Sequence, residues 1–220
     1  MSVTRYQFDR AINAFFEMDR DRAKACLPSH LEPMEVKHGL GVFAVTAFNF
    51  TDSEVGPYQE IVFAVITPPV VTPDGHWPRS AFYPFVVGTS TEAARTHAIE
   101  RWHLPHYMSD IHVDFEENAG KVSVRVHEDN RPILDFAISA YKWSQVDHLY
   151  QAFTSDSSGD YRADITMHGE FTEHEEESGE ITIHPHAMTE QIIHADVQSW
   201  PFREMWMRNG VQSFDPLHRM

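Results

Sequence analysis

The sequence predicts an α+β fold in which antiparallel strands dominate and a few helices flank them. Segments rich in β-branched and aromatic residues alternate with Gly, Pro, Asn and Asp turns over most of the 220-residue chain. The clearest helical pattern is short: residues 89–102, where Ser90 or Thr91 can cap the first turn and Pro105 prevents continuation. This pattern leaves open whether the strands close into a barrel or stack as a sandwich.

The first half of the chain reads as one helix followed by strands. Residues 8–26 carry apolar residues on one side and Asp and Arg on the other, which predicts a helix that Pro28 ends. Strands are then predicted at 41–50, 61–71 and 82–88, with turn or loop residues at 51–57 and 72–80.

The second half reads as a β-meander and one further hairpin. Residues 111–143 contain three strands separated by short turns. The segments DITMHGEFTE and GEITIHPH predict a hairpin across 175–179, whose acidic tip faces solvent. Residues 188–207 show near-helical spacing, and the last ten residues read as a tail.

Composition narrows the class of protein. Hydrophobic residues make up 42% of the chain, which is enough for a sizeable core, and no linker or repeat divides residues 1–220, so we expect a single domain. The net charge of −16 argues against nucleic-acid and membrane partners. Cys26 is the only cysteine, and the chain has no signal-peptide pattern or long apolar run, so we expect a cytoplasmic protein.

Several landmarks, in order, resemble the acetoacetate decarboxylase family. Residues 27–33 (Leu-Pro, then Leu-Glu-Pro) resemble the family's entry segment, and residues 56–60 (Gly-Pro-Tyr-Gln-Glu) resemble its Tyr-x-Glu strand. Residues 98–101 (Ala-Ile-Glu-Arg), shortly before Pro105, resemble its helix exit. The strand from Ile111 and the C-terminal stretch from Ile192 to Trp206 complete a match over most of the chain.

The resemblance implies a closed β core around a small pocket, flanking helices and a homo-oligomer. It also implies chemistry on small oxo acids through a lysine Schiff base, in which the amine attacks a ketone and the iminium accepts electrons. This sequence departs from the family there. Where the family has Pro-Lys-Lys, the chain has Pro105-His106-Tyr107, and either His106 or Tyr107 could occupy the lysine position. Imidazole forms no iminium, so we expect no Schiff-base decarboxylation.

The resemblance points to Glu60 and His106, and the chemistry of other residue types adds further candidates. Glu60 would be an acid/base group whose pKa burial raises, and His106 would exchange protons opposite it or bind a carboxylate. The expected ligand is a small carbonyl or carboxylate compound, with no cofactor. Candidate substrate-binding residues, as pocket walls or carboxylate partners, are Tyr58, Arg79, Arg95, Trp102 and Tyr107.

Three function hypotheses follow. The preferred one is a lyase- or isomerase-type enzyme that acts on a small oxo acid or related carbonyl compound by Glu/His proton transfer. The second is a non-catalytic binding module with the same pocket. The third is a metal-dependent lyase or hydrolase that uses Glu100, His103 and His106; since Pro105 breaks the helical register and the spacing matches no established motif, we expect no metal site. His184 and His186 are expected at an exposed strand end.

Overall fold

The computed structural model describes residues 3–220, in which strands dominate. The two α-helices of this part are α1 (Arg20–Ala25) and α2 (Glu92–Trp102), and a 3-10 helix spans Ala187–Thr189. The strands are β1 (Thr4–Asp19), β2 (Leu40–Asp52), β3 (Tyr58–Thr67), β4 (Ala81–Thr89), β5 (His112–Asn118), β6 (Lys121–Glu128), β7 (Arg131–Ser139), β8 (Ser144–Asp156), β9 (Gly159–His174), β10 (Glu180–Ile183), β11 (Arg203–Phe214) and β12 (His218–Arg219).

Seven of these strands form a closed barrel. Their order is β11-β1-β2-β3-β4-β8-β9, and pairing of β11 with β9 closes the ring. Neighbours are antiparallel except β4 and β8, which pair in parallel through Ala81 and Phe82. The fold class is therefore the predicted one, mainly antiparallel β with a closed core, and closure settles the choice between barrel and sandwich.

A second sheet, in the order β10-β7-β6-β5, covers one side of the barrel. Strand β2 shows how the two layers share their residues: Phe43, Val45 and Ala47 pack towards the second sheet, whereas Ala44 and Phe48 belong to the cluster inside the barrel. Because side chains alternate across a strand, a strand buried on both faces is apolar almost throughout.

Helix α2 is where the sequence predicts it and covers one end of the barrel. The Thr91 hydroxyl accepts a hydrogen bond from the Ala94 amide at 3.2 Å, which caps the first turn. The helix ends at His103, which has a left-handed backbone with φ of 53°. Its buried residues Ala94 and Trp102 belong to the interior cluster of the barrel.

The predicted helix at 8–26 is wrong. Residues Thr4–Asp19 form β1, a 16-residue strand of the barrel, and only Arg20–Ala25 are helical, with Asp19 as the cap. Burial explains the error. The run from Ala11 to Phe16 is buried on both faces, so the simple alternation of a half-exposed strand is lost and the apolar spacing imitates a helix.

Three predictions for the C-terminal third are also wrong. The segment 188–207 holds a short 3-10 turn and the start of β11 rather than a helix. Strands β9 and β10 do not form a hairpin, because β9 pairs with β8 and β11 while β10 pairs with β7 in the other sheet. The supposed tail contains the end of β11 and all of β12. Within residues 3–220, no helix is long and apolar enough to cross a membrane.

Candidate functional site

The barrel encloses a cavity with about 120 Å³ of space that the centre of a water molecule can occupy. This is room for several waters or one small organic ligand. All seven barrel strands contribute to its wall, so the cavity is the barrel lumen. The lining residues, most of them apolar, are Ala11, Asn13, Thr46, Phe48, Glu60, Val62, Phe82, Pro84, Val87, Leu104, Tyr150, Ala152, Ile165, Met167, Phe171, Met205, Met207, Gln212 and Phe214.

In the described wall of this cavity, Glu60 carries the one carboxyl group, and Tyr150 is the one other side chain that can ionise. Glu60 lies on β3 between Phe48 of β2 and Thr89 of β4 and is 9% exposed. Its carboxyl group makes no hydrogen bond within residues 3–220. Burial raises the pKa of Glu60 to about 8, because the charged form loses its hydration without gaining a partner. Glu60 can therefore donate a proton at neutral pH.

Three neutral polar side chains share the lumen. The Asn13 amide donates to the Thr46 hydroxyl at 2.8 Å across the β1–β2 ladder. Gln212 on β11 is 7% exposed, and its side-chain amide makes no hydrogen bond within the described chain. The cavity thus offers an apolar wall with a few polar groups, the usual composition of a small-molecule site.

Tyr58 and Trp102, which the sequence predicts as pocket walls, lie in the core at the α2 end of the barrel rather than in the cavity wall. Trp102 donates from Nε1 to the Tyr6 hydroxyl at 2.7 Å, and Tyr6 hydrogen-bonds His97 Nε2 at 2.7 Å. Burial raises the pKa of Tyr58, and nearby Glu60 raises it further. These side chains close one end of the lumen.

His106 is placed beside the cavity. Its backbone forms a parallel bridge with Val87, a cavity residue, but His106 is not among the described lining residues. Nδ1 donates to the Tyr107 carbonyl at 2.7 Å, so Nε2 is the bare nitrogen of the neutral ring. Nε2 is buried and has no hydrogen-bond partner in the described chain. Burial lowers the pKa of His106, which favours the neutral form.

The two arginines and Tyr107 are engaged outside the lumen. Arg79 is exposed and forms an ion pair with Glu173, and Arg95 binds Asp110 at 2.7 Å. The Tyr107 hydroxyl donates to Glu128 Oε2 at 3.0 Å. None of the three is among the residues that the structure places in the cavity wall.

The geometry gives the metal hypothesis no support. His103 hydrogen-bonds Asp156 at 2.6 Å, His106 bonds the Tyr107 carbonyl, and Glu100 is exposed. Among residues 3–220, no group of three or more His, Cys, Asp or Glu side chains is arranged to hold a metal ion.

The expected exposure of His186 is wrong. Its side chain is 3% exposed, accepts the Met188 amide on Nδ1 and donates to Glu128 from Nε2 at 3.1 Å. His184, by contrast, is partly exposed and binds Asp135 at 2.7 Å. His186 thus has a structural role, because it fastens the 3-10 turn to the strand β6.

The lysines lie away from the cavity. Lys24 binds the Leu31 carbonyl, and Lys37 binds Glu17. Lys121 is exposed on β6, and Lys142 lies over the Tyr141 ring. The described cavity wall contains no lysine.

Sequence reasoning missed Gln212, Asn13 and Thr46. Their residue types occur throughout the chain, and Gln212 lies in the segment read as a tail. The one usable signal was alternation along β11, where Gln212 and Phe214 lie two residues apart and so point to the same face of the strand.

Comparison with known proteins gives a consistent result. A family model described as acetoacetate decarboxylase matches residues 2–190. The acetoacetate decarboxylase from Legionella pneumophila superposes with a TM-score of 0.69 at 14% identity, covering 98% of this chain and 86% of that one. The enduracididine biosynthesis enzyme MppR, in complex with pyruvate, superposes with a TM-score of 0.67 at 9% identity. This match covers 99% of this chain and 90% of that one.

A third structure, an acetoacetate decarboxylase-like enzyme from Sphingomonas wittichii RW1, gives a TM-score of 0.60 at 12% identity. The superposition covers 100% of this chain and 94% of that one. No curated protein matches the chain by sequence. At such low identities, the structural similarity establishes the fold and leaves the chemistry to the site residues.

Proposed function

Since this chain belongs to the acetoacetate decarboxylase family, we propose that the barrel cavity is the active site of a lyase- or isomerase-type enzyme. The substrate is a small oxo acid or related carbonyl compound. The observation that carries the proposal is Glu60: a carboxyl group in an apolar lumen, without a hydrogen-bond partner in the described chain, whose pKa burial raises to about 8. A pKa near the working pH is what general acid/base catalysis requires.

Glu60 moves the proton in this scheme. As an acid it protonates the carbonyl oxygen or the carbanionic carbon, and as a carboxylate it removes the proton next to the carbonyl. Proton transfer of this kind interconverts keto and enol forms and accompanies hydration or dehydration. Each proton given up returns from the substrate or from solvent, so the carboxyl group is regenerated.

His106 is the proposed second proton-transfer group. Its unpartnered Nε2 and its lowered pKa support this, since a neutral imidazole can accept a proton. Its backbone lies next to Val87, which lines the cavity. Its assignment rests on the family alignment, and Glu60 remains the main group.

A Schiff-base route is not part of the proposal. Such a route needs a lysine amine at the ketone, and the described wall of the lumen has none. Where the family has Pro-Lys-Lys, this chain has Pro105-His106-Tyr107, so either His106 or Tyr107 would take the place of the lysine. Proton transfer without a covalent intermediate is the chemistry that the residues present support.

The alternative is a binding module without catalysis. The apolar wall supports it, because such a wall binds an apolar ligand without chemistry. Proton exchange distinguishes the two. The wild type is incubated in D₂O with a panel of small ketones, diketones and oxo acids, and deuterium in the product is read by NMR. We expect catalysed exchange in the wild type.

Variants identify the group responsible. Glu60→Gln should slow the exchange by about 100-fold or more, the usual contribution of a general acid or base. Glu117→Gln, an exposed glutamate on β5, is the matched control and should exchange at the wild-type rate. Binding without exchange in the wild type would support the binding module. Equal exchange in Glu60→Gln would remove Glu60 from the mechanism.

We also propose that the protein is a homo-oligomer. Trp77 is 69% exposed and Trp200 is 50% exposed in the isolated chain, and large exposed aromatics are typical of interfaces between subunits. Light scattering after size-exclusion chromatography measures the mass. A mass of one 25.4 kDa chain at micromolar concentration would contradict this part.

A further inference from the structure

Gln212 is a polar residue of the lumen whose side-chain amide has no hydrogen-bond partner in the described chain. It lies on β11, between Tyr6 of β1 and Met167 of β9, and its side chain lines the cavity. The residue is 7% exposed, and its amide makes no hydrogen bond within residues 3–220. The amide therefore opens into the cavity, where a bound ligand can supply the partner that the described chain does not.

Gln212 and Glu60 are on opposite walls. In the ring of seven strands, β11 and β3 are three strands apart, which is as far as two strands of this barrel can be. Both side chains line the cavity, so they enter it from opposite sides of the barrel. A ligand between them therefore meets an amide on one side and a carboxyl group on the other.

The lumen has no cation for a carboxylate ligand. Its described wall contains no Lys, Arg or His. The two arginines that could have bound a carboxylate are already paired, Arg79 with Glu173 and Arg95 with Asp110. An unpaired carboxylate in an apolar site loses its hydration without compensation, whereas a neutral carbonyl group needs only a hydrogen-bond donor.

We propose that the cavity binds an uncharged carbonyl compound whose oxygen accepts a hydrogen bond from the side-chain amide of Gln212, on the wall opposite Glu60. This inference rests on the proposed function, because it names the ligand class of the same cavity. It narrows the oxo acids and related carbonyl compounds to those without a carboxylate. The space of about 120 Å³ limits the ligand to a small molecule.

The test compares two ligands of similar shape and different charge. Pentane-2,4-dione and acetoacetate differ in that a terminal methyl group of the first is a carboxylate oxygen in the second. Binding to the 220-residue protein is measured by calorimetry at about pH 6.5, below the pKa that burial gives Glu60. We expect the dione to bind at least about tenfold more tightly than acetoacetate.

Gln212→Met keeps the length of the side chain and removes its amide. We expect about five- to tenfold weaker dione binding, the usual effect of one lost hydrogen bond to a ligand. The melting temperature should not fall, because the variant loses a polar group that has no partner in the described chain. Replacing a residue with a structural role would lower the melting temperature. Gln145→Met, at an exposed position on β8, is the matched control and should bind as the wild type does.

Three results would overturn the inference: equal or tighter binding of acetoacetate, unchanged dione affinity in Gln212→Met, and no binding of either compound to the folded wild type. Binding to Glu60→Gln separates this inference from the proposed function. If that variant binds the dione and the wild type catalyses no proton exchange, the proposed function fails while the ligand class stands. If the wild type turns over only oxo acids, the proposed ligand class fails while the proposed function stands.

Discussion

Glu60 lies directly opposite Phe48 across the β2–β3 ladder, and both side chains line the lumen of the barrel. The aromatic neighbour provides no hydrogen bond, and the carboxyl group finds none elsewhere in the described chain. Phe48 also packs on Phe50 and Phe8, so the wall beside Glu60 is aromatic and closely packed. Desolvation alone therefore sets the protonation of Glu60.

This has a consequence for stability against pH. Below its ordinary pKa of 4.5, Glu60 is protonated in both the folded and the unfolded chain. Between this pH and about 8, the unfolded chain releases the proton and the folded chain keeps it, so folding stability falls as the pH rises. Above about 8 both states are ionised, and the loss stays constant.

Glu60→Gln removes this titration. Relative to the wild type, we expect the variant to gain stability steadily from pH 5 to 8, reaching on the order of 3 kcal/mol near pH 7. Urea denaturation across this range measures the difference. The surface variant Glu117→Gln should show no such trend, and a constant difference between Glu60→Gln and the wild type would contradict the raised pKa.

Filling the lumen should abolish binding without unfolding the protein. Ala152 on β8 faces the cavity, and Ala152→Leu places additional methyl groups in the space. We expect the melting temperature to stay within a few degrees and pentane-2,4-dione binding to be lost. Ala93→Leu, on the exposed face of α2, is the control. Full ligand affinity in Ala152→Leu would place the binding site elsewhere.

Glu204 should be among the most sensitive positions for stability. The residue is fully buried, and its carboxyl group accepts the backbone amides of Ser139, Ser178 and Gly179 at 2.7 to 2.8 Å. These bonds fasten the 175–179 connection between the barrel and the second sheet. Glu204→Ala removes the acceptor of all three amides.

For Glu204→Ala we expect a loss of about 3–5 kcal/mol in the free energy of unfolding. Glu170→Ala, which removes a partly exposed partner of Arg208, should cost less than about 1 kcal/mol. Chemical denaturation measures both. Similar losses in the two variants would show that the Glu204 bonds do not stabilise the fold as described.

The Tyr6 hydroxyl joins α2 to the barrel end, since it accepts from Trp102 and contacts His97. Tyr6→Phe should cost about 1–2 kcal/mol, because Trp102 Nε1 is left buried without an acceptor. In a Trp102→Phe background the same change should cost less, and a double-mutant cycle measures the coupling. Tyr141→Phe, at an exposed position, is the control. Additive effects would mean that the bond contributes nothing.

Local patterns predicted the elements whose signals are local. Helix α2 begins at its Thr91 cap and ends at His103, two residues before Pro105, and β2 and β3 are dense in β-branched and aromatic residues. Strand β1 was misread because both of its faces are buried, which depends on the second sheet far along the chain. Burial on both faces is a tertiary property that the spacing of apolar residues does not reveal.

The same limit applies to the site. Glu60 was found through the family resemblance, and its burial agrees with the expected acid/base environment. Gln212 could not be found, because it reaches the lumen only when β11 pairs with both β1 and β9. Glu60 and Gln212 are 152 positions apart in sequence, and both line one cavity because the barrel closes. No sequence motif encodes this closure.

Direct titration of Glu60 tests the central claim, that the lumen holds a carboxyl group protonated at neutral pH. The protein is labelled with ¹³C at the glutamate side-chain carboxyls, and Glu60→Gln identifies the Glu60 resonance by its disappearance. We predict that this resonance titrates with a midpoint of about 8, well above the ordinary value of 4.5. A midpoint near 4.5 would show a solvated or paired carboxylate and would contradict the proposed acid/base role.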